Sequence, residues 1–123
     1  MQIIHLADTH LGKQQYGYEF REFDGYELFR EVIENAIRDH IRLVVISGDL
    51  FDEPRPRNRA LRNAINCFKE LSNHGVKVVL IPGDHDYPKR RDTLPLYVLE
   101  DVLDNVVLLG VPTSKREFRT RYV

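Results

Sequence analysis

Short apolar runs alternate with amphipathic helical patterns along these 123 residues, and this alternation limits the possible folds more than any other feature. Four runs are almost continuously apolar, as is typical of strands in a parallel sheet: Ile3–Leu6, Leu43–Ile46, Val76–Ile81 and Val106–Leu109. Apolar residues at helical spacing between them predict helices over residues 24–39, 58–72 and 94–103. The order predicts an α/β fold, a mainly parallel sheet with helices on both faces.

Three of the predicted strands are followed directly by clusters of carboxylate and imidazole side chains. The clusters are Asp8-Thr9-His10, Gly48-Asp49-Leu50-Phe51-Asp52 and Gly83-Asp84-His85-Asp86. Because open sheets of this kind bind ligands at the carboxyl ends of their strands, we expect these side chains to converge there. Carboxylates mixed with imidazole, without paired thiolates, suit Mn, Fe or Zn better than Ca or a structural zinc. The pattern predicts a binuclear metal centre that hydrolyses phosphoesters.

The chemistry of such a centre gives each residue a predicted role. Asp49 follows the middle strand and is the best candidate to bridge both metals, with Asp8 and His10 on the first metal and Asp84 on the second. His85 is placed to act as general acid for the leaving oxygen. Two further carboxylates, Asp52 and Asp86, either orient the ligands through hydrogen bonds or cap the following helices.

Other polar and aromatic residues near these clusters have simpler interpretations. We expect His5, which alternates with apolar residues on a strand, to make a local hydrogen bond rather than bind metal. The aromatic residues Tyr16, Tyr18 and Phe20 are interpreted as loop anchors. The single cysteine, Cys67, excludes a disulfide framework and paired-thiolate metal sites. No apolar run approaches the roughly 20 residues that span a bilayer, so a soluble cytoplasmic protein with no membrane partner is expected.

Charge is distributed unevenly along the chain, although the net charge is only −1. Residues 1–54 hold 5 Lys/Arg and 11 Asp/Glu, a balance of −6, whereas residues 55–123 hold 13 and 8, a balance of +5. Distributed positive charge near the chemistry suits a phosphodiester backbone. The candidate DNA contacts are Arg55, Arg57, Arg59, Lys89, Arg90 and Arg91. The alternative, that these side chains are an ordinary solvated surface, stays open.

The three clusters at these spacings resemble the motifs of calcineurin-like phosphoesterases. The added Leu11-Gly12, Gln15-Tyr16 and Leu50-Phe51 resemble the Mre11/SbcD family of DNA double-strand-break repair nucleases, with an archaeal source expected. The resemblance extends from Met1 to about Gly110. It implies that residues 1–112 are the amino-terminal half of a metallophosphoesterase sandwich domain, and that residues 113–123 are an interrupted continuation at a fragment end.

The resemblance also implies an activity and partners. Family members are Mn-dependent 3′ to 5′ exonucleases and single-strand endonucleases that use two Mn²⁺ ions, act on DNA ends beside the nucleoid and work with a Rad50-type SMC-like ATPase. By motif position, the metal ligands would be Asp8, His10, Asp49 and Asp84, with His85 as the catalytic histidine. The family forms homodimers through its second and third helices, where this chain has Leu61, Ile65, Val98 and Val102.

Two departures from the family pattern limit the expected activity. Asp84 stands where the family usually has Asn, and we expect the carboxylate still to ligate. The family takes further histidine ligands from its second half, but this chain has no histidine after His85. We therefore expect an incomplete second metal site and an amino-terminal fragment with weak activity or none. Two alternatives stay open, a small-substrate metallophosphodiesterase or phosphatase and a non-catalytic dimerisation module.

Overall fold

A four-stranded parallel sheet forms the centre of the structure, a computed structural model that describes residues 1–83 and 95–110. The strands lie in the order β1 (Ile3–Leu6), β2 (Leu43–Ser47), β3 (Lys77–Ile81) and β4 (Val106–Leu108). The helices between them are α1 (Glu19–Arg38), α2 (Asn58–Asn73) and α3 (Pro95–Val102), and a short 3₁₀ turn at Gln15–Gly17 precedes α1. The predicted α/β fold with a parallel sheet flanked by helices is confirmed.

Within the described residues the helices cover one face of the sheet, not both faces as predicted. Val44, Ile46 and Leu80 point into the same buried core as the helix residues. On the opposite face Ile3 of β1 is 52% exposed and Ile81 of β3 is 37% exposed. The edge strand β1 alternates between exposed and half-buried residues, so it is not the buried strand that was predicted. The cause is the strand order, because right-handed crossovers that always advance in one direction put every connecting helix on the same side.

Helix α1 begins at Glu19, earlier than the predicted start at residue 24. The apolar periodicity that guided the prediction starts only at Phe29, so the first turns carry no such signal. Glu19 and Glu22 stand in the first turn, where carboxylates interact favourably with the helix dipole. Helices α2 and α3 follow the predicted ranges closely, because their apolar stripes extend to their ends.

The core lies between the sheet and the helices. Phe29 of α1 meets Phe68 of α2 edge to face, with ring centroids 6.0 Å apart. Cys67 is buried beside them, and this burial raises the pKa of its thiol to about 11.

No helix among residues 1–83 and 95–110 is both long and apolar enough to span a bilayer.

Asn105 connects the start of β4 to two neighbouring elements. The residue is 9% exposed. Its Nδ2 donates hydrogen bonds to the carbonyl oxygens of Phe68 at 3.1 Å and Val76 at 2.9 Å. Its backbone carbonyl oxygen accepts a hydrogen bond from the backbone amide of Val78 at 2.9 Å. One side chain thus joins the end of α2 and the start of β3 to β4.

We expect Asn105→Ala to lower the free energy of unfolding by about 2 kcal/mol, because two buried carbonyl groups lose a donor. Urea unfolding followed by circular dichroism measures the change. The matched control is Asn73→Ala, at an exposed position at the end of α2, and it should stay within about 0.5 kcal/mol of the parent chain. Equal losses in the two variants would contradict this role of Asn105.

Candidate metal centre

The loops that leave β1 and β2 bring three of the predicted ligands together. One ligand atom from each of Asp8, His10 and Asp49 lies within 4.8 Å of the other two. Two carboxylates and one imidazole are a donor set that fits a divalent ion such as Mn²⁺, Fe²⁺ or Zn²⁺. The other predicted members of the centre, Asp84, His85 and Asp86, lie outside the described residues.

Hydrogen bonds continue the β1–β2 pairing past the ends of the strands and hold the two loops side by side. Backbone amides of the first loop donate to carbonyl groups of the second, from Asp8 to Gly48 (3.1 Å), from His10 to Asp49 (2.9 Å) and from Leu11 to Leu50 (2.8 Å). The Thr9 hydroxyl donates to the Leu50 carbonyl as well, at 2.9 Å. The ligands on the two loops are therefore positioned by one shared ladder.

The backbone at all three ligands is left-handed. The φ angles are 55° at Asp8, 45° at His10 and 51° at Asp49. Residues with a Cβ rarely adopt this conformation, which costs on the order of 1 kcal/mol at each position. Such strain persists only where the surrounding structure enforces it, and it concentrates at functional sites. Here the hydrogen-bonded ladder enforces it.

The imidazole of His10 lies between two carboxylates. Its Nε2 is 3.9 Å from Oδ2 of Asp49, and its Nδ1 is 3.3 Å from Oδ1 of Asp52. A metal-binding imidazole commonly directs its second nitrogen to a carboxylate, which fixes the orientation of the ring. Asp52 is thus placed to orient His10. The alternative role, capping α2, does not apply because α2 begins at Asn58, and its N-cap is Arg57.

A cavity of about 340 Å³ opens beside the ligand cluster. Its lining includes the predicted ligands Asp8 and His10, and the charged residues Lys13, Arg21, Glu22 and Asp24. The cavity therefore places two basic side chains next to the predicted metal ligands, among three carboxylates. Such an arrangement can hold a phosphate group close to a bound divalent ion.

Comparison with known protein families identifies the family of this chain. The profile of the family described as calcineurin-like phosphoesterase matches residues 1–120. The chain belongs to the calcineurin-like phosphoesterase family. The identification agrees with the ligand cluster at the carboxyl edge of the sheet, since a phosphoesterase of this type requires divalent metal.

Curated relatives of this calcineurin-like phosphoesterase are named DNA double-strand break repair protein Mre11. The protein of that name from Sulfolobus acidocaldarius is 46% identical over 102 residues, which cover 82% of this chain and 27% of the relative. The one from Saccharolobus solfataricus is 41% identical over 110 residues, covering 89% and 29%. The one from Methanocaldococcus jannaschii is 37% identical over 115 residues, covering 90% and 31%. The chain thus spans less than a third of the length of these relatives.

A glycine from a third loop of the phosphoesterase packs directly against Asp49. A Cβ added at Gly83 would lie 2.5 Å from Oδ1 of Asp49 and 2.7 Å from its backbone nitrogen. Real Cβ atoms do not approach other atoms so closely, and the nitrogen belongs to the backbone, so it cannot rotate away. Gly83 is therefore required for the position of the predicted bridging ligand.

We expect Gly83→Ala to weaken Mn²⁺ binding at least tenfold, because the new methyl group displaces Asp49. Titration of Mn²⁺ monitored by electron paramagnetic resonance measures the affinity. The matched control is Gly25→Ala, since nothing lies within 4 Å of a Cβ added there, inside α1. That control should bind Mn²⁺ normally and unfold at a higher temperature, because alanine favours the helix. Unchanged Mn²⁺ affinity in Gly83→Ala would contradict the expected displacement.

Glu22 is a buried carboxylate that sequence reasoning missed. It is 1% exposed, and four side chains contact it. Tyr26 donates to Oε2 at 2.5 Å, while Oε1 accepts from Gln14 at 2.9 Å, from Arg59 at 3.1 Å and from Arg57 at 3.5 Å. The carboxylate thus connects α1, the segment that follows His10 and the start of α2. No local pattern reveals it, because its partners lie up to 37 residues away.

Two of the predicted DNA contacts therefore have protein partners. Arg57 and Arg59 pair with Glu22, and Arg59 also donates to Glu19 at 2.7 Å. Both guanidinium groups stay near half exposure, and Arg55 is exposed. The remaining candidates, Lys89, Arg90 and Arg91, lie outside the described residues.

His5 makes the predicted local hydrogen bond, with Nε2 at 2.5 Å from Oγ of Ser47.

The surroundings of Glu22 favour its ionised form. Burial by itself raises the pKa of this carboxyl, but the hydrogen bonds from Tyr26 and Gln14 and the charges of Arg59 and Arg57 outweigh it, so the pKa is lowered. Burial, the hydrogen bond to Glu22 and its charge raise the pKa of Tyr26 well above the usual value. At neutral pH the phosphoesterase therefore holds a buried anion neutralised by two arginines.

We expect the parent chain to lose more stability in acid than Glu22→Gln does. A carboxyl with a lowered pKa in the folded state contributes stability above its unfolded pKa and loses it as pH falls through the folded pKa. Glutamine does not titrate, so the two unfolding free energies should converge as the pH drops below the ordinary range of glutamate. At pH 7 the variant should be less stable by about 2 kcal/mol.

Urea unfolding of both chains between pH 3 and pH 7 measures this difference. Glu34→Gln, at an exposed position on the same helix, is the control and should follow the parent chain at every pH. A constant difference between the parent chain and Glu22→Gln across the range would show that Glu22 does not titrate with folding.

Proposed function

We propose that this chain is the amino-terminal part of a Mre11-type metal-dependent nuclease that processes DNA ends at double-strand breaks. The observation that carries the proposal is the convergence of Asp8, His10 and Asp49 within 4.8 Å at the carboxyl edge of the sheet. Relatives named for DNA double-strand break repair, up to 46% identical, support the choice of substrate. In this proposal residues 1–112 form the first half of the phosphoesterase domain.

The residues of the chain divide the work of a phosphodiester hydrolysis. Asp8 and His10 would hold the first Mn²⁺, Asp49 would bridge to the second, and Asp84 would contribute to the second. When bound, the two ions lower the pKa of a coordinated water and neutralise the charge of the attacked phosphate. His85 would protonate the leaving oxygen, while Asp52 and Asp86 hold the ligands through hydrogen bonds.

The histidines limit what these residues can do by themselves. Besides His10 and His85, the chain has three histidines. Two of these have other partners: the His5 ring contacts the Ser47 hydroxyl, and the Nδ1 atom of His74 lies 2.9 Å from the Glu70 carbonyl oxygen. We expect the second metal site to need ligands beyond these 123 residues. The activity of the chain alone should therefore be weak.

One observation favours a second candidate, a small-substrate phosphodiesterase or phosphatase. The cavity beside the ligands, about 340 Å³, lies in the size range of small-molecule sites. The charge near it fits either substrate, since Lys13 and Arg21 line it and the exposed Arg55 lies on the loop after Asp52. In the nuclease proposal the DNA backbone is contacted by Arg55, Arg57, Arg59, Lys89, Arg90 and Arg91.

The proposal includes a homodimer formed by α2 and α3. Val98 and Val102, one helical turn apart on α3, are 39% and 59% exposed. Leu61 and Ile65, one turn apart on α2, are only partly buried against the core. Pairing these positions across two copies would cover apolar surface. In this proposal a Rad50-type SMC-like ATPase binds through regions outside these residues. The nuclease would act in the cytoplasm, associated with the nucleoid.

The first experiment measures Mn²⁺-dependent cleavage of end-labelled single-stranded and duplex DNA by the chain, with Asp49→Asn as the matched variant. We expect DNA binding that weakens steeply with salt. We expect weak cleavage that requires Mn²⁺ and falls at least a hundredfold in Asp49→Asn. Electron paramagnetic resonance should show that Asp49→Asn also loses most of its bound Mn²⁺.

Two other results would favour the alternatives. Hydrolysis of bis(4-nitrophenyl) phosphate without salt-dependent DNA binding would favour the small-substrate enzyme. A dimer detected by light scattering that binds no Mn²⁺, and that Asp49→Asn leaves intact, would favour a non-catalytic dimerisation module.

A further inference from the structure

Four aromatic side chains lie on the surface just before and within the first turns of α1. Tyr16, Tyr18, Phe20 and Phe23 are 81%, 55%, 55% and 46% exposed, and they are the exposed aromatic residues among residues 1–83 and 95–110. The prediction that Tyr16, Tyr18 and Phe20 anchor a loop by packing is therefore wrong. We call these four side chains the aromatic patch. Clustered exposed apolar groups of this kind mark interaction surfaces.

Two rings of the aromatic patch stack on each other, and two guanidinium groups lie over rings of the patch. Tyr18 and Phe20 are stacked, with centroids 5.3 Å apart and planes inclined by 28°. The guanidinium of Arg21 lies 5.3 Å from the centroid of Phe20, and that of Arg59 lies 5.2 Å from the centroid of Phe23. Arg59 is paired with Glu19 and Glu22, so Arg21 is the cation that the patch offers to a ligand. Flat apolar faces beside a guanidinium suit a planar ligand that carries phosphate groups.

The protein holds the segment that carries the patch at both ends. Before it, the Gln14 side chain donates to the buried Glu22 at 2.9 Å, and the Gln14 carbonyl accepts from the Gly17 amide at 2.9 Å. After it, Arg59 connects Phe23 to Glu19 and Glu22. A surface fixed in this way loses little conformational entropy when a ligand binds.

Arg21 connects the aromatic patch to the metal centre. Its guanidinium lies over Phe20, and the same residue lines the cavity that contains Asp8 and His10. Lys13 lines that cavity too. A ligand with alternating phosphates and flat rings can therefore place a phosphate in the cavity and a ring on the patch.

We infer that the aromatic patch binds unpaired bases of single-stranded DNA whose backbone enters the metal cavity. The inference rests on the proposed function for its substrate and adds to it: the strand is held beside the ligands in unpaired form. Only unpaired bases expose faces to the rings, since in a duplex the faces are covered by neighbouring bases. Stacking on aromatic side chains accepts any base, so the patch should bind without sequence preference.

The experiment measures binding of a labelled 15-nucleotide single strand by fluorescence anisotropy in EDTA, so that neither metal nor cleavage contributes. The Tyr18→Ala, Phe20→Ala double variant should bind about tenfold more weakly or worse. An oligonucleotide of the same length with abasic sites should bind the parent chain equally weakly. The control Ile3→Ala removes an exposed apolar side chain from the sheet edge and should bind within twofold of the parent.

A second variant tests whether the rings or only their bulk matter. Tyr18→Leu with Phe20→Leu keeps apolar side chains but removes the flat faces, and it should bind as weakly as the alanine variant. Circular dichroism of each variant verifies that α1 is retained.

Four outcomes would overturn the inference: no single-strand binding, unchanged binding in the double variants, equal affinity for normal and abasic strands, or tighter binding of a blunt duplex than of the single strand. A protein partner would be the better occupant if the variants left DNA binding unchanged. Failure of the proposed function appears differently, as absent Mn²⁺-dependent cleavage while base-dependent binding in EDTA persists. If only this inference is wrong, the chain cleaves DNA with Mn²⁺, but its DNA binding does not depend on the bases.

Discussion

The register of the parallel strands determines where every described metal ligand lies. Pairing of β1 with β2 continues beyond the strands through the bond from the Asp8 amide to the Gly48 carbonyl and the bond from the His10 amide to the Asp49 carbonyl. Gly48 in turn donates to the Ile81 carbonyl of β3 at 2.7 Å. The central loop is thus held on both sides. A shift in register would separate Asp49 from Asp8 and His10, because side chains alternate in direction along a strand.

The close contact between these loops also explains the left-handed backbone conformations at the metal ligands. Left-handed conformations at Asp8, His10 and Asp49 cost energy that a free loop would release by relaxing. The neighbouring loops prevent relaxation, since Gly83 leaves no room around Asp49. Close packing and the hydrogen bonds between the loops therefore maintain the ligand geometry against this strain, and a bound ion would add stability to an arrangement that already exists.

Glu22 lines the same cavity and joins the segments around it. Its ion pairs with Arg57 and Arg59 attach the start of α2 to α1, and its bond from Gln14 holds the segment after His10. Because the arginines neutralise a buried anion, part of the positive charge that composition assigns to nucleic-acid binding has a structural role. Arg59 also lies over the ring of Phe23 and so joins the aromatic patch to the same set of contacts.

The four strands, the extents of α2 and α3, and the convergence of Asp8, His10 and Asp49 could be predicted from the sequence, because apolar periodicity is local and parallel strands present their carboxyl ends at one edge. The start of α1 and the partners of Arg57 and Arg59 could not, because the folded structure sets them through contacts between residues far apart in the chain. The folded structure also decided which face of the sheet the helices cover. That choice follows from strand order, which no local pattern encodes.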